Sequence, residues 1–379
     1  MTEIDSRVID SLRFPMAVLV VAIHSYIAID GWSYEAVPIQ GLGSNVAQFF
    51  IISISHVLAH IAVPTFFLIS GYLFYCNFGD EFFLGWKKKI KNRVKSLLIP
   101  YILWIFFYII FLVLLDISEI RQLGIIDWLK SHGGQKMFWC SEKWNVDRVD
   151  LWGNPAVSSS PILMPFWYLR DLIVCLLCTP LFYFLLRKRM TPYLMIICVS
   201  ILSLLYFTQT SFYVPGFSSL SLFFFGFGAA LSLWNKSMVE LLSRGKYIVW
   251  PTFILLFTIE VALDGHNTVL GNIIYPFYII VGVISVIALS PRTGGGKFTF
   301  FIFAAHVFVL PIVGAIVSRV LVIITGATNV SNMDFADKYP ILLILEYVTQ
   351  IGLTVLICMG IYSLLYKYLP RLTKILCGR

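Results

Sequence analysis

The apolar positions of this chain fall into runs of around 20 residues that recur from end to end, separated by short polar stretches. A run of that length crosses a bilayer as an α-helix rising about 1.5 Å per residue. Ten such spans can be drawn, at 9–29, 46–75, 97–115, 166–186, 193–209, 218–234, 248–264, 271–290, 299–323 and 340–366. The second is long enough to tilt, or to break at Pro64. The pattern predicts an all-α fold: a polytopic integral membrane helical bundle of about ten transmembrane helices, with residues 1–379 forming a single domain. One stretch, 116–165, breaks the rhythm. It is polar, rich in Trp and Asp, and carries the turn signals Gly133-Gly134 and Asn154-Pro155, so it reads as a long loop.

Composition agrees with the pattern. Charged residues make up 13% of the chain, against about 25% in an ordinary soluble domain. The first span is not a cleavable signal peptide, because Asp10 and Arg13 interrupt it and no small-residue cleavage site follows. Lys and Arg give the orientation. With the N-terminus in the cytoplasm, 20 of the 28 basic residues fall on inner loops, including all six between Lys87 and Lys95. Both termini are then cytoplasmic and 116–165 is external. The net charge of +8 reports topology and calls for no nucleic-acid partner; the bilayer is the expected partner.

Little metal or redox chemistry is expected. Of the seven cysteines, Cys175 and Cys178 share a helix face but lack the further ligands zinc needs. Cys140 is the only thiol placed firmly in the external loop, so no disulfide framework forms there. His56 and His60, spaced i, i+4, have no evident third ligand, so no metal site is assigned.

Chemistry concentrates on the first span. Arg13 and His24 are eleven residues apart, which closes three helical turns with roughly 20° left over, so both project from one face about 16 Å apart. Asp10 lies one turn below Arg13 on that face. Ionisable groups at membrane depth are costly unless partnered or wet, so the stripe is expected to face the interior. Similar depth reasoning sets His24 in the middle to outer half of its span. Arg170 and Asp171 fall within the first two turns of a span entering from outside, Glu260 near an outer end, and Arg13 and His306 in the inner third.

With these residues in hand, the chain resembles the acyltransferase-3 family of integral membrane proteins. Asp10, Arg13 and His24 match the family's first helix. VPTFFLISGYLF at 63–74 matches the second, with its Ser-Gly-aromatic-Leu ending at Ser70 and Gly71. NRVKSLLIPY at 92–101 resembles the basic stretch leading to a proline at the third, although Ser96 stands where many relatives carry a second arginine. FWYLRDLI at 166–173 and FIFAAH at 301–306 resemble later helices. The resemblance implies an enzyme: a membrane acyltransferase, in a bacterial cytoplasmic (inner or plasma) membrane. It would move an acyl group, taken as acetyl, from cytoplasmic acetyl-CoA (acyl-CoA) as co-substrate to a hydroxyl of a surface glycan or lipid-linked sugar.

Acyl transfer then suggests roles. A hydroxyl attacking a thioester needs a base working near neutrality, and imidazole suits it. His24 is the candidate, tuned by Asp10, Arg13 or Glu260, with His306 as the alternative base. Arg170 or a backbone amide near Ser70 and Gly71 could steady the oxyanion. Arg13, Arg93 and Lys95 could hold coenzyme A phosphates. Bland readings stand beside these: Arg13 could snorkel to headgroups, the 87–95 run could be topology alone, and Ser70-Gly71 could be a small-residue helix contact. The rival function is a transporter or flippase for a glycan or lipid-linked intermediate, since intramembrane charges mark such paths too.

Overall fold

The computed structural model describes residues 2–25, 42–76, 82–149, 155–186, 214–263, 269–290, 296–330 and 333–379, with residues 200, 201, 203, 204 and 206 between them. The predicted span 193–209 and the outer end of 9–29 lie largely outside these. Helix dominates. Among the described residues, four helices are long and apolar enough to cross a membrane: Val46–Tyr75, Gly85–Leu115, Thr299–Thr325 and Pro340–Tyr368. A fifth span is available if the bent pair Met164–Leu177 and Thr179–Leu186 counts as one. The helices Glu3–His24, Ser219–Leu233, Lys246–Ala262 and Val269–Leu289 fall on four more of the expected spans.

Two expectations are refined. The fold is helical as expected, but the 116–165 stretch, expected as a loop, contains short helices and a two-stranded antiparallel hairpin, Glu142–Val149 against Pro155–Ser160. The pairing runs Glu142 with Ser160 to Asn145 with Val157, then shifts register before Val149 meets Pro155. The long second span does break, but ahead of Pro64. Its helix passes through a π turn at Ser53–Val57 and a 3-10 turn at Leu58–Ile61 before resuming at Ala62–Tyr75. A proline disturbs the turn on its N-terminal side, where its missing N–H leaves the carbonyl four residues back without a helical partner.

Pro180 acts in the same way at the other break, where the helices on either side of Cys178 bend by 57°. Its missing donor would have served the Leu176 carbonyl, which Thr179 Oγ1 takes instead at 2.6 Å. Tyr75 and Trp86 then fasten the break, donating to the Thr179 carbonyl and hydroxyl at 2.5 and 2.9 Å.

The chain divides into two compact units, each drawn from discontinuous stretches. The first comprises Met1–Thr2, Phe67–Met238 and Leu364–Arg379. Within it two glycines set a close helix crossing. A Cβ on Gly71 would come within 2.1 Å of the Phe225 carbonyl oxygen, and one on Gly228 within 2.0 Å of that of Leu68. Only small residues allow backbones this near. The short helix Pro370–Leu376 docks on Ile99–Leu115, where Trp104 Nε1 donates to the Leu376 carbonyl at 3.0 Å.

The second unit comprises Glu3–Phe66 and Val239–Ser363. Its first helix buries Val8, Ile9, Leu12, Met16, Ala17, Val20 and Val21, an apolar face recurring every three to four residues. It packs along Thr299–Thr325 and against the irregular turns at 53–61. Those turns free backbone carbonyls for side chains: Tyr278 donates to the Val57 carbonyl at 3.1 Å. Gly282 gives the same segment room, since a Cβ there would meet Ile61 Cγ2 at 2.7 Å.

Candidate active site

The second unit brings two of the expected residues together. His24, at the end of Glu3–His24, lies with its ring centroid 5.2 Å from that of His306 on Thr299–Thr325, the planes inclined by 31°. The two helices run parallel and in register. Gly296 sits against the Arg13 side chain, 3.1 Å from its Cδ for a built Cβ, and His306 sits against His24. Ten residues on one chain segment match eleven on the other. The expectation that His24 lies well above His306 is thereby corrected. Arg13 is level with the turn before the later helix begins, and the first helix starts at Glu3, six residues or under two turns before its apolar run.

The pair is built asymmetrically. His306 is fully buried, and its Nδ1 lies 2.8 Å from the Phe303 carbonyl and 3.2 Å from that of Ile302. Carbonyls only accept, so Nδ1 carries the proton and Nε2 is left with its lone pair. That Nε2 has no hydrogen-bond partner among the described residues. His24 is half-buried, and among the described residues no hydrogen bond reaches its ring. Two residues before it, the Ala22 carbonyl accepts from Ser55 Oγ at 3.0 Å and from Tyr347 at 3.3 Å, with Ser55 and Tyr347 2.7 Å apart. This ties the π turn and the helix Pro340–Tyr368 to the end of the first helix. The sequence reading passed over Ser55 and Tyr347, whose only signal is polar atoms inside apolar runs.

Asp10 and Arg13 are not in that group. They pair with each other at 2.8 Å, and their side chains keep 48% and 38% of their surface, so this part of the stripe faces outward. Arg13 is therefore too far along the helix to touch His24. Glu260 is buried on Lys246–Ala262, which packs along Val269–Leu289.

The remaining expected residues belong to the first unit. Arg170 is fully buried, and its guanidinium is committed. Nε and Nη2 bind Asp171 Oδ1 at 3.0 and 2.9 Å, while Nη1 donates to the Trp139 carbonyl at 2.8 Å and to Ser159 Oγ at 3.1 Å. It clamps the 116–165 stretch onto the helix Trp167–Leu177. Tyr101 adds a second clamp by donating to the Phe138 carbonyl, and its ring stacks on Phe166 at 5.8 Å. Tyr101 is 14 residues, or about 21 Å, from the Leu115 end of its helix. Arg170 therefore lies beside the Tyr101 end of that helix and away from its Leu115 end, whereas the depth reasoning placed it level with the latter. Irregular backbone can sit beside an apolar helix because its polar groups are satisfied within the protein.

Gly71 is committed to the helix crossing, and its amide lies inside a regular helical ladder, which removes it as a free oxyanion donor. Arg93 and Lys95 line a cavity of about 450 Å³, together with Lys89, Asn92, Ser96 and the segment ending in Gly378 and Arg379. No cluster of three or more metal-ligating side chains occurs among the described residues.

The histidine pair of one unit and the cationic cavity of the other are the features to set beside known families. The model of the acyltransferase-3 acyltransferase domain matches residues 7–363, nearly the whole chain, and the protein belongs to that family. No curated protein sequence and no solved structure matches it.

Proposed function

We propose that this acyltransferase moves an acetyl group from cytoplasmic acetyl-CoA to a hydroxyl of a surface glycan or lipid-linked sugar, with His24 as general base. The observation that carries the reading is the imidazole pair. His24 offers a ring that no described side chain ties down. His306, fixed in one tautomer by the Phe303 carbonyl, stands beside it.

In this reading His24 takes the proton of the acceptor hydroxyl as its oxygen bonds to the thioester carbon. The tetrahedral intermediate then collapses, the carbon–sulfur bond breaks, and the imidazolium returns the proton to the departing thiolate. Holding the hydroxyl and thioester together in a site screened from water supplies much of the rate. Arg93 and Lys95 hold the donor's phosphates by charge-assisted bonds, and Arg13 offers a further cation on the cytoplasmic side. Residues 1–379 work as one domain of ten spans with both termini cytoplasmic and the 116–165 loop external. The bacterial cytoplasmic membrane is its proposed location.

The test is chemical. Purified protein in lipid nanodiscs should release free coenzyme A from acetyl-CoA only when a hydroxyl-bearing glycan acceptor is present, and should form an O-acetyl ester. Release without an ester, or ester formation undiminished in His24→Ala, would remove the proposal.

A further inference from the structure

The cavity beside Arg93 is walled on one side by residues far along the chain. Four cationic side chains line it, Lys89, Arg93, Lys95 and Arg379, and among the described residues no Asp or Glu side chain does. The single α-carboxylate that Arg379 carries here is outnumbered by these four cations, so the lining keeps a net positive charge and suits a polyanionic guest. Lys89 is anchored from below, with its ammonium donating to the Phe74 and Cys76 carbonyls at 2.6 and 2.5 Å.

Arg379 is held there by construction. Pro370–Leu376 is docked through Trp104, and the Cys377 side chain is buried. Gly378 then takes a positive φ of 67° and lies flat on Ser96, where a Cβ would come within 1.9 Å of the carbonyl oxygen. A glycine is required twice over, for the left-handed turn and for the contact. The turn carries Arg379 to the cavity rim, across from the 92–96 stretch. Ser96 thus serves as the seat for a segment that brings an arginine to the cavity.

We infer that the 370–379 segment is part of the acyl donor site, with Arg379 a phosphate-binding residue that completes the cationic cavity for the phosphorylated end of coenzyme A. The inference rests on the donor reading of Arg93 and Lys95. Anionic lipid headgroups share the same phosphate chemistry, so the test must separate the two sources.

The experiment measures coenzyme A binding to the full chain in nanodiscs of phosphatidylcholine, and again with phosphatidylglycerol added. Coenzyme A and its dephospho form are the probes. Arg379→Ala should weaken coenzyme A binding about tenfold and narrow the preference over the dephospho form, while Arg379→Lys should recover most of the loss. The side chain is exposed, so its removal leaves the fold intact; Gly378→Ala, which could unseat the segment, is a supporting variant. If Arg93→Ala weakens binding and Arg379→Ala does not, the inference fails and the donor reading stands. If neither substitution alters binding, the donor reading fails with it. If phosphatidylglycerol displaces coenzyme A from wild type but not from Arg379→Ala, the arginine binds lipid and the inference is overturned.

Discussion

His24 and His306 face each other across two parallel helices with ring centroids 5.2 Å apart, although 282 positions separate them in the chain. Among the described residues, only His306 is held by the backbone, at the Phe303 carbonyl. The difference gives the two rings different roles and separable tests.

His24→Ala should lose acyl transfer by roughly 10²–10⁴-fold while the protein still inserts and binds coenzyme A. His24→Gln keeps hydrogen bonding and approximate volume but takes no proton near neutrality, and should be equally impaired. Steady-state release of coenzyme A checks both. Near-normal turnover by the Gln variant would take His24 out of the chemistry.

His306 is expected to act through His24. His306→Gln should lower kcat by about tenfold or more with little change in KM for either substrate, since it disturbs a neighbour rather than a binding contact. A rise in KM with kcat unchanged would assign His306 to substrate binding instead. Should His24→Gln be active and His306→Gln inactive, the base would be His306.

Arg170 is expected to matter for stability before catalysis. Removing one partner of a buried ion pair leaves the other uncompensated, at a cost of about 3–5 kcal/mol. Arg170→Ala should lower the thermal unfolding midpoint in detergent and expose the 139–160 stretch to limited proteolysis. A variant with wild-type stability and lost turnover would return Arg170 to the oxyanion role.

Topology can be tested with a membrane-impermeant thiol reagent in a cysteine-free background. Ser159 is a poor reporter because it is fully buried and bonded to Arg170. Lys130, whose side chain keeps 71% of its surface, and Arg244, also at 71%, are better placed. Lys130→Cys should label in intact cells and Arg244→Cys only after lysis. The reverse pattern would invert the orientation and with it the cytoplasmic placement of the donor.

The sequence by itself determined that this chain is a membrane helical protein, where its longest apolar helices lie, and which histidines, arginines and carboxylates are candidates. Apolar run length is a local property dictated by bilayer thickness, and a charge inside such a run is conspicuous one residue at a time. It also showed the Asp10–Arg13 relation, because helical periodicity makes neighbours of residues three apart. Tertiary structure decided the rest. Depth counted from the edge of an apolar run misplaced His24, because the first helix begins below that run and only its partner helix fixes the level. It misplaced Arg170 as well, because irregular backbone can run beside an apolar helix once side chains satisfy it. The seating of Gly378 on Ser96 was beyond any sequence pattern, since it depends on the approach of two backbones 282 residues apart. Local rules set what each segment can be; packing set which segments meet, and here the meeting of segments makes the site.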